Sequence, residues 1–160
     1  MLEATLALAA QAALMAVDEL YFHRRRGLER FERWSHPIDT LFFALALLVP
    51  TRHAPTPGAE ALYIGLAILS TLLITKDEWI HARACCGGEQ WLHACLFVLH
   101  PVALLLVGNA WRQSPTTPLA LTAPWPILAF MVYQLVYWMV LRDALPLRRP
   151  AARGQQRVLR

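Results

Sequence analysis

Asp77 to His93 reads D-E-W-I-H-A-R-A-C-C-G-G-E-Q-W-L-H. Asp77, Glu78 and His81 close one hydrophobic segment, and Glu89 and His93 open the next in the pattern E-x-W-x-H. The same order of residues occurs once before. Asp18, Glu19 and His23 close a hydrophobic segment, and Glu32, Trp34 and His36 open its successor. Glu32/Glu89, Trp34/Trp91 and His36/His93 are each 57 residues apart, and Asp18/Asp77 and Glu19/Glu78 are 59 apart. A near-constant offset of this kind marks an internal duplication, which sets the architecture before any single residue is weighed. The repeated positions are mostly carboxylates and imidazoles, so the duplicated feature is chemical.

The chain of 160 residues has the length of one domain. It is 57% hydrophobic and 16% charged, against roughly 25% charged for a soluble domain. Its apolar blocks are too long for ordinary core helices, which makes this an integral membrane protein. Met1 to Leu20 lacks the basic leading region of a secretory signal, since its early charge is Glu3. Three cysteines, two of them adjacent as Cys85-Cys86, do not form a disulfide framework.

Outward from the repeats, the expected architecture is all-α and polytopic, with five transmembrane helices. Segment one runs from about Leu2 to Phe22, and Gly27 stops it after Arg24-Arg25-Arg26. Segment two runs from Leu28 to Val49, with Pro50 ending it. Thr51 to Gly58 is a Pro/Gly loop. Segment three runs from Ala59 to His81, and Cys85 to Gly88 forms the next turn. Segment four, Glu89 to Trp111, contains Pro101, which membrane helices tolerate. Arg112 to Pro124 is a second loop and Trp125 to Leu141 the fifth crossing. Residues 1–145 form the bundle, with repeat one at about 2–50, repeat two at about 59–111, and helix five (125–141) flanking it. Residues 146–160 form a basic tail that meets anionic lipid headgroups; its scattered arginines do not suit a nucleic acid.

Charge fixes the expected orientation. With Arg24–Arg33 in the cytoplasm, that side holds thirteen of the fifteen Lys and Arg residues, and Arg52 and Arg112 alone lie opposite. The positive-inside rule then puts the N-terminus outside and the C-terminus in the cytoplasm, as in a bacterial-type inner membrane. Trp34, Trp79, Trp91 and Trp138 fall at one interface, Trp111 and Trp125 at the other. Each repeat holds two crossings, so the copies are parallel and related by an axis along the membrane normal. Such an axis brings the two motifs to one depth.

Helical spacing makes these residues converge. Glu19 and His23, Glu32 and His36, Asp77 and His81, and Glu89 and His93 are i,i+4 pairs, and Glu78 and His81 are i,i+3. Such pairs share a helix face. Asp39 extends the face of Glu32 and His36, and His100 that of His93. Imidazole with carboxylate suits iron, zinc or manganese, and the donors exceed one ion's need, so two ions are expected, with iron favoured. Four-helix di-iron proteins use Glu-x-x-His, which Glu78–His81 alone matches, and no H-x-x-H-H cluster of the membrane hydroxylases is present.

The expected metal set is therefore Glu19, His23, Glu32, His36, Asp39, Asp77, Glu78, His81, Glu89, His93 and His100. The function this implies is metal-dependent oxidation or hydroxylation of a lipid-soluble substrate at the cytoplasmic end of the bundle. Three alternatives use the same residues. They are a metal-ion or proton transporter built on an Asp/Glu/His relay, a bis-His haem subunit and a small scaffolding subunit. The carboxylates count against haem. A rim of interfacial charges paired with arginines is the plain structural alternative.

Overall fold

A computed structural model describes residues 1–76, 78–116 and 118–142. It is all-helical, with no strand among the described residues. Helix α1 spans Leu2–Arg26, α2 Arg30–Arg52, α3 Pro57–Leu73, α4 Glu78–Ala84, α5 Gly87–Gln113 and α6 Pro118–Leu141. Four stretches, Leu2–Arg26, Pro57–Ala84, Gly87–Gln113 and Pro118–Leu141, are long and apolar enough to cross a membrane. The fifth long helix, α2, has 23 residues, roughly 35 Å at 1.5 Å per residue, but carries its charge in its first turns.

Local chemistry sets the boundaries. The Ala/Leu run of α1 favours helix, and α1 ends at Gly27, whose φ of 81° suits glycine. Its N–H donates back to His23 O at 2.7 Å. A Cβ there would also run into the Arg142 guanidinium. Helix α2 opens on a capping box in which Glu29 and Glu32 satisfy each other's backbone N–H. Thr56 caps α3, with Pro57 in the first turn.

Several boundaries differ from the sequence reading. Pro50 does not end α2, which continues to Arg52. Proline's clash falls in the final turn, where few bonds remain to break, and Thr51 Oγ1 secures that turn on Leu47 O and Ala120 O. Segment three is not one regular helix, because α3 gives way to a turn at Ile74–Lys76 before α4. Gly87 and Gly88 belong to the first turn of α5. Pro118–Thr122, read as loop, is helical.

Helix α1 packs on α5, α3 packs on both α2 and α5, and α6 packs on α2. One half of the bundle is apolar, built from Phe43, Leu47, Tyr63, Leu104, Val107 and Trp111 with the small residues Ala4, Ala44, Ala46 and Ala110. The outer surface is apolar too, with Leu6, Leu62, Ile68, Leu72, Val98 and Leu105 exposed. Trp34, Trp79, Trp91 and Trp125 are exposed, whereas Trp111 and Trp138, read as interfacial, are 1% exposed inside the protein. Helix α6 is more than a flank, since it buries Gln134 and Trp138 towards the motif residues. The basic tail lies outside the described residues.

Candidate metal centre

The half of the bundle opposite the apolar core holds the charged residues of α1, α2, α4 and α5. Asp18, Glu19, His23, Glu32, His81, Glu89 and His93 are all buried. In α1 the backbone winds as a π-helix over Asp18–His23. A π turn carries one more residue than an α turn and recurs at functional sites. It brings residues five apart onto one face, so His23 Nε2 lies 3.2 Å from Asp18 Oδ2 while its Nδ1 lies 3.4 Å from Glu19 Oε2.

Four imidazoles form a rectangle. The His23–His36 and His81–His93 ring centroids are 4.7 and 4.1 Å apart, and the His23–His93 and His36–His81 centroids are each 6.2 Å apart. Carboxylates occupy its edges. Asp18 Oδ1 faces His93 Nε2 at 3.1 Å, and Glu89 Oε1 faces His23 Nε2 at 3.9 Å. Across the rectangle, Glu32 Oε1 faces His81 Nε2 at 3.5 Å.

Two donor groups result. Asp18, His23, Glu89 and His93 each offer an atom within 4.8 Å of the others, and so do Glu32, His36 and His81. The first group joins α1 to α5, the second α2 to α4. A third group, His81, Cys85 and His93, shares its histidines with the other two. Two donors about 2.1 Å from one ion lie roughly 3.0 Å apart at a right angle and 3.4 Å at a tetrahedral angle. The Asp18–His93 and Asp18–His23 separations of 3.1 and 3.2 Å fall in that range, and Glu32–His81 at 3.5 Å lies just beyond it. These clusters are therefore able to hold a metal ion.

The other sequence candidates have different partners. Glu19 accepts from Trp138 Nε1 and, at 3.4 Å, from Gln134 Nε2, so it fixes His23 from outside the donor groups. Asp39 is paired with Lys76. Glu78 is about half exposed and 3.6 Å from His81 Nδ1. His100 holds Gln11 Nε2 at 2.6 Å and Ser70 Oγ at 2.9 Å, away from the donor groups. Asp77 lies outside the described residues. His53 sits in the opposite loop, where its carbonyl accepts from Trp111 Nε1.

Arg26 crosses the mouth of the cluster. Its Nη1 and Nη2 donate to Glu32 at 3.0 and 2.7 Å, and its Nε donates to Glu89 at 3.1 Å. A cavity of about 100 Å³ is lined by His36, His81 and His93 together with Phe43, Phe97 and Phe130. Gln11 Oε1, which lines it through Gln11, has no hydrogen-bond partner among the described residues, and neither has His93 Nδ1.

Asp18, Cys85, Arg26, Gln134 and Trp138 are absent from the expected metal set, yet touch or complete this cluster. Asp18 carried a signal, its offset of 59 from Asp77; i,i+4 spacing hid it, because it meets His23 only through the π turn. Gln134 and Trp138 carried none, since a Gln and a Trp in an apolar segment have many uses. Burial and the neighbouring Glu89 carboxylate push the Cys85 thiol well above the ordinary thiol range. Compared with family models, curated proteins and solved structures, the chain matches none.

Proposed function

We propose that this chain is a membrane metalloprotein holding two ions in two related His/carboxylate sites at the cytoplasmic end of its bundle. The observation that carries this is the correspondence between the two donor groups. Moving His23, Glu32 and His36 by the sequence offsets of 58, 57 and 57 gives His81, Glu89 and His93. Each group takes its donors from the first half of one repeat and the second half of the other. A two-fold axis along the membrane normal accounts for that exchange, for the two equal long sides of the rectangle, and for α1 packing on α5 while α3 packs on α2. A rim of solvated charges accounts for none of these, and buried ionisable groups in a membrane are costly enough to mark function.

Iron is the ion the reading favours, in keeping with imidazole and carboxylate donors, with zinc and manganese as competitors. Bound iron would supply one-electron chemistry and open positions for oxygen. The chain's own residues hold it, orient it through Glu19 and Trp138, and present it to the cavity. That cavity is smaller than the roughly 300–1,000 Å³ of a drug-sized site. It suits a small oxidant or the end of a lipid-soluble chain. His100, which lines the cavity with Gln11, bonds to both Gln11 and Ser70, and the apolar core follows, which favours a one-sided site over a transport path. The thirteen-to-two charge bias gives the orientation, with the N-terminus outside.

Protein purified in detergent should carry close to two ions per chain by elemental analysis. His36→Ala and His93→Ala should each lose metal and His53→Ala none. Protein that carries no metal and takes up none from solution would leave the interfacial-rim reading standing.

A further inference from the structure

Duplication predicts two equivalent sites, yet one side chain makes them unequal. Arg26 sits three residues after His23; the residue three after His81 is Ala84. The nearest guanidinium of the second repeat, Arg83, is exposed and lies over the Trp79 ring instead of reaching a glutamate in the described contacts. Arg26 is largely buried, and each of its three nitrogens donates to one of the two repeated glutamates. The division is uneven. Glu32 gives Arg26 both oxygens, and its Oε2 also accepts the Glu29 backbone N–H at 2.8 Å. Glu89 gives Arg26 Oε1 alone.

We infer that Arg26 is an internal cation that competes with the metal at Glu32, so that the Asp18/His23/Glu89/His93 site fills first and the Glu32/His36/His81 site fills second and more weakly. The inference rests on the two-site centre proposed above. A bidentate guanidinium–carboxylate pair is a strong, geometrically matched contact, and it claims the lone pairs a metal at Glu32 would need. The first site has no such competitor across Asp18, whose oxygens face only His23 and His93 in the described contacts. Its fourth donor, Glu89, has Oε1, the oxygen that faces His23, held by a single Arg26 nitrogen at 3.1 Å, whereas Glu32 is held through both oxygens. Filling the second site requires Arg26 to loosen its hold on Glu32, and Glu89 is the carboxylate it already touches.

The test is calorimetric titration of the full, metal-free chain in detergent with Zn²⁺ alone. Wild type should take up two ions whose affinities differ by about tenfold, the worth of one charge-assisted hydrogen bond. His36→Ala should remove the weaker event and keep the stronger. Arg26→Gln should tighten the weaker event towards the stronger one. Arg26→Lys keeps a charge but cannot span all three contacts, and it should fall between them; if Arg26→Gln does not fold without metal, Arg26→Lys decides by the same criterion. Two equal affinities in wild type, or a weaker event that stays unchanged or weakens further in the Arg26 variants, overturns the inference while leaving the two-site centre intact. No Zn²⁺ uptake by wild type overturns both.

Discussion

The two halves of the bundle are held together by different physics. In the half around Phe43, Leu47, Leu104 and Trp111 the contacts are apolar, and Ala4, Ala44, Ala46 and Ala110 let backbones approach closely. Lipid is as apolar as these side chains, so close packing and dispersion hold that half, not exclusion from water. In the half around His23, His36, His81 and His93, buried carboxylates, imidazoles and one guanidinium hold each other in place. Breaking one partner of such a set leaves an uncompensated charge. The apolar half therefore tolerates exchange for other side chains of similar volume. The charged half tolerates little exchange and adds little stability over an apolar replacement, so its presence points to chemistry.

Single substitutions separate the halves, beginning with the largest effect. His93→Ala removes the imidazole that Asp18 faces and should lower stability by about 3–5 kcal/mol, read by thermal unfolding in detergent, and should remove bound metal. A chelator should destabilise wild type and have little further effect on that variant. Leu47→Ala, in the apolar half, should cost about 2 kcal/mol, the low end for a buried leucine, and should leave metal content unchanged. Loss of metal in Leu47→Ala would mean that the halves are coupled. Gly27→Ala forces a side chain into φ 81°, ψ 158°, against Arg142 and should cost about 1–3 kcal/mol. Thr40→Val removes a 2.8 Å bond to Gln134 and should cost about 0.6 kcal/mol, the average for such a bond in a membrane. Cysteine chemistry should not move stability at all. At pH 8, Cys86 is exposed and should be alkylated faster than the part-buried Cys85, whose raised thiol pKa keeps it protonated. Equal rates by mass spectrometry would contradict that burial.

The helical class and four of the apolar spans were legible because both depend on long-range sequence pattern. Apolar blocks announce spans by length alone, and a repeated offset survives any local irregularity. Which donors would pair across the bundle was not legible. Helical spacing pairs His23 with Glu19 and Glu32 with His36, within one helix. The structure instead groups His23 with Glu89 and His93, and Glu32 with His81. Those pairings depend on α1 packing against α5, which the hydrophobic pattern does not specify, since every face of these helices is apolar enough to meet either protein or lipid. The partner of Asp39 was hidden for a similar reason: it lines the cavity beside His36, but Lys76 arrives from the turn after α3 and pairs with it.

The π-helical stretch at Asp18–His23 has a consequence for the phase of α1. Each residue of an α-helix advances the side chains by about 100°, so one surplus residue resets the angular position of everything before it. Ala4, Ala7 and Gln11 face inward on the far side of that reset. Deleting a single residue such as Leu20 would let the stretch relax to α-winding, with the cluster anchored by His23. The first four turns would then rotate together. Gln11 would leave His100 and face the lipid, while Leu6, now exposed, would be driven towards α5. The surplus residue thus works as a phase key: one helix serves two neighbourhoods, a His/carboxylate cluster at one end and a close-packed seam at the other, whose angular requirements an uninterrupted helix does not satisfy together.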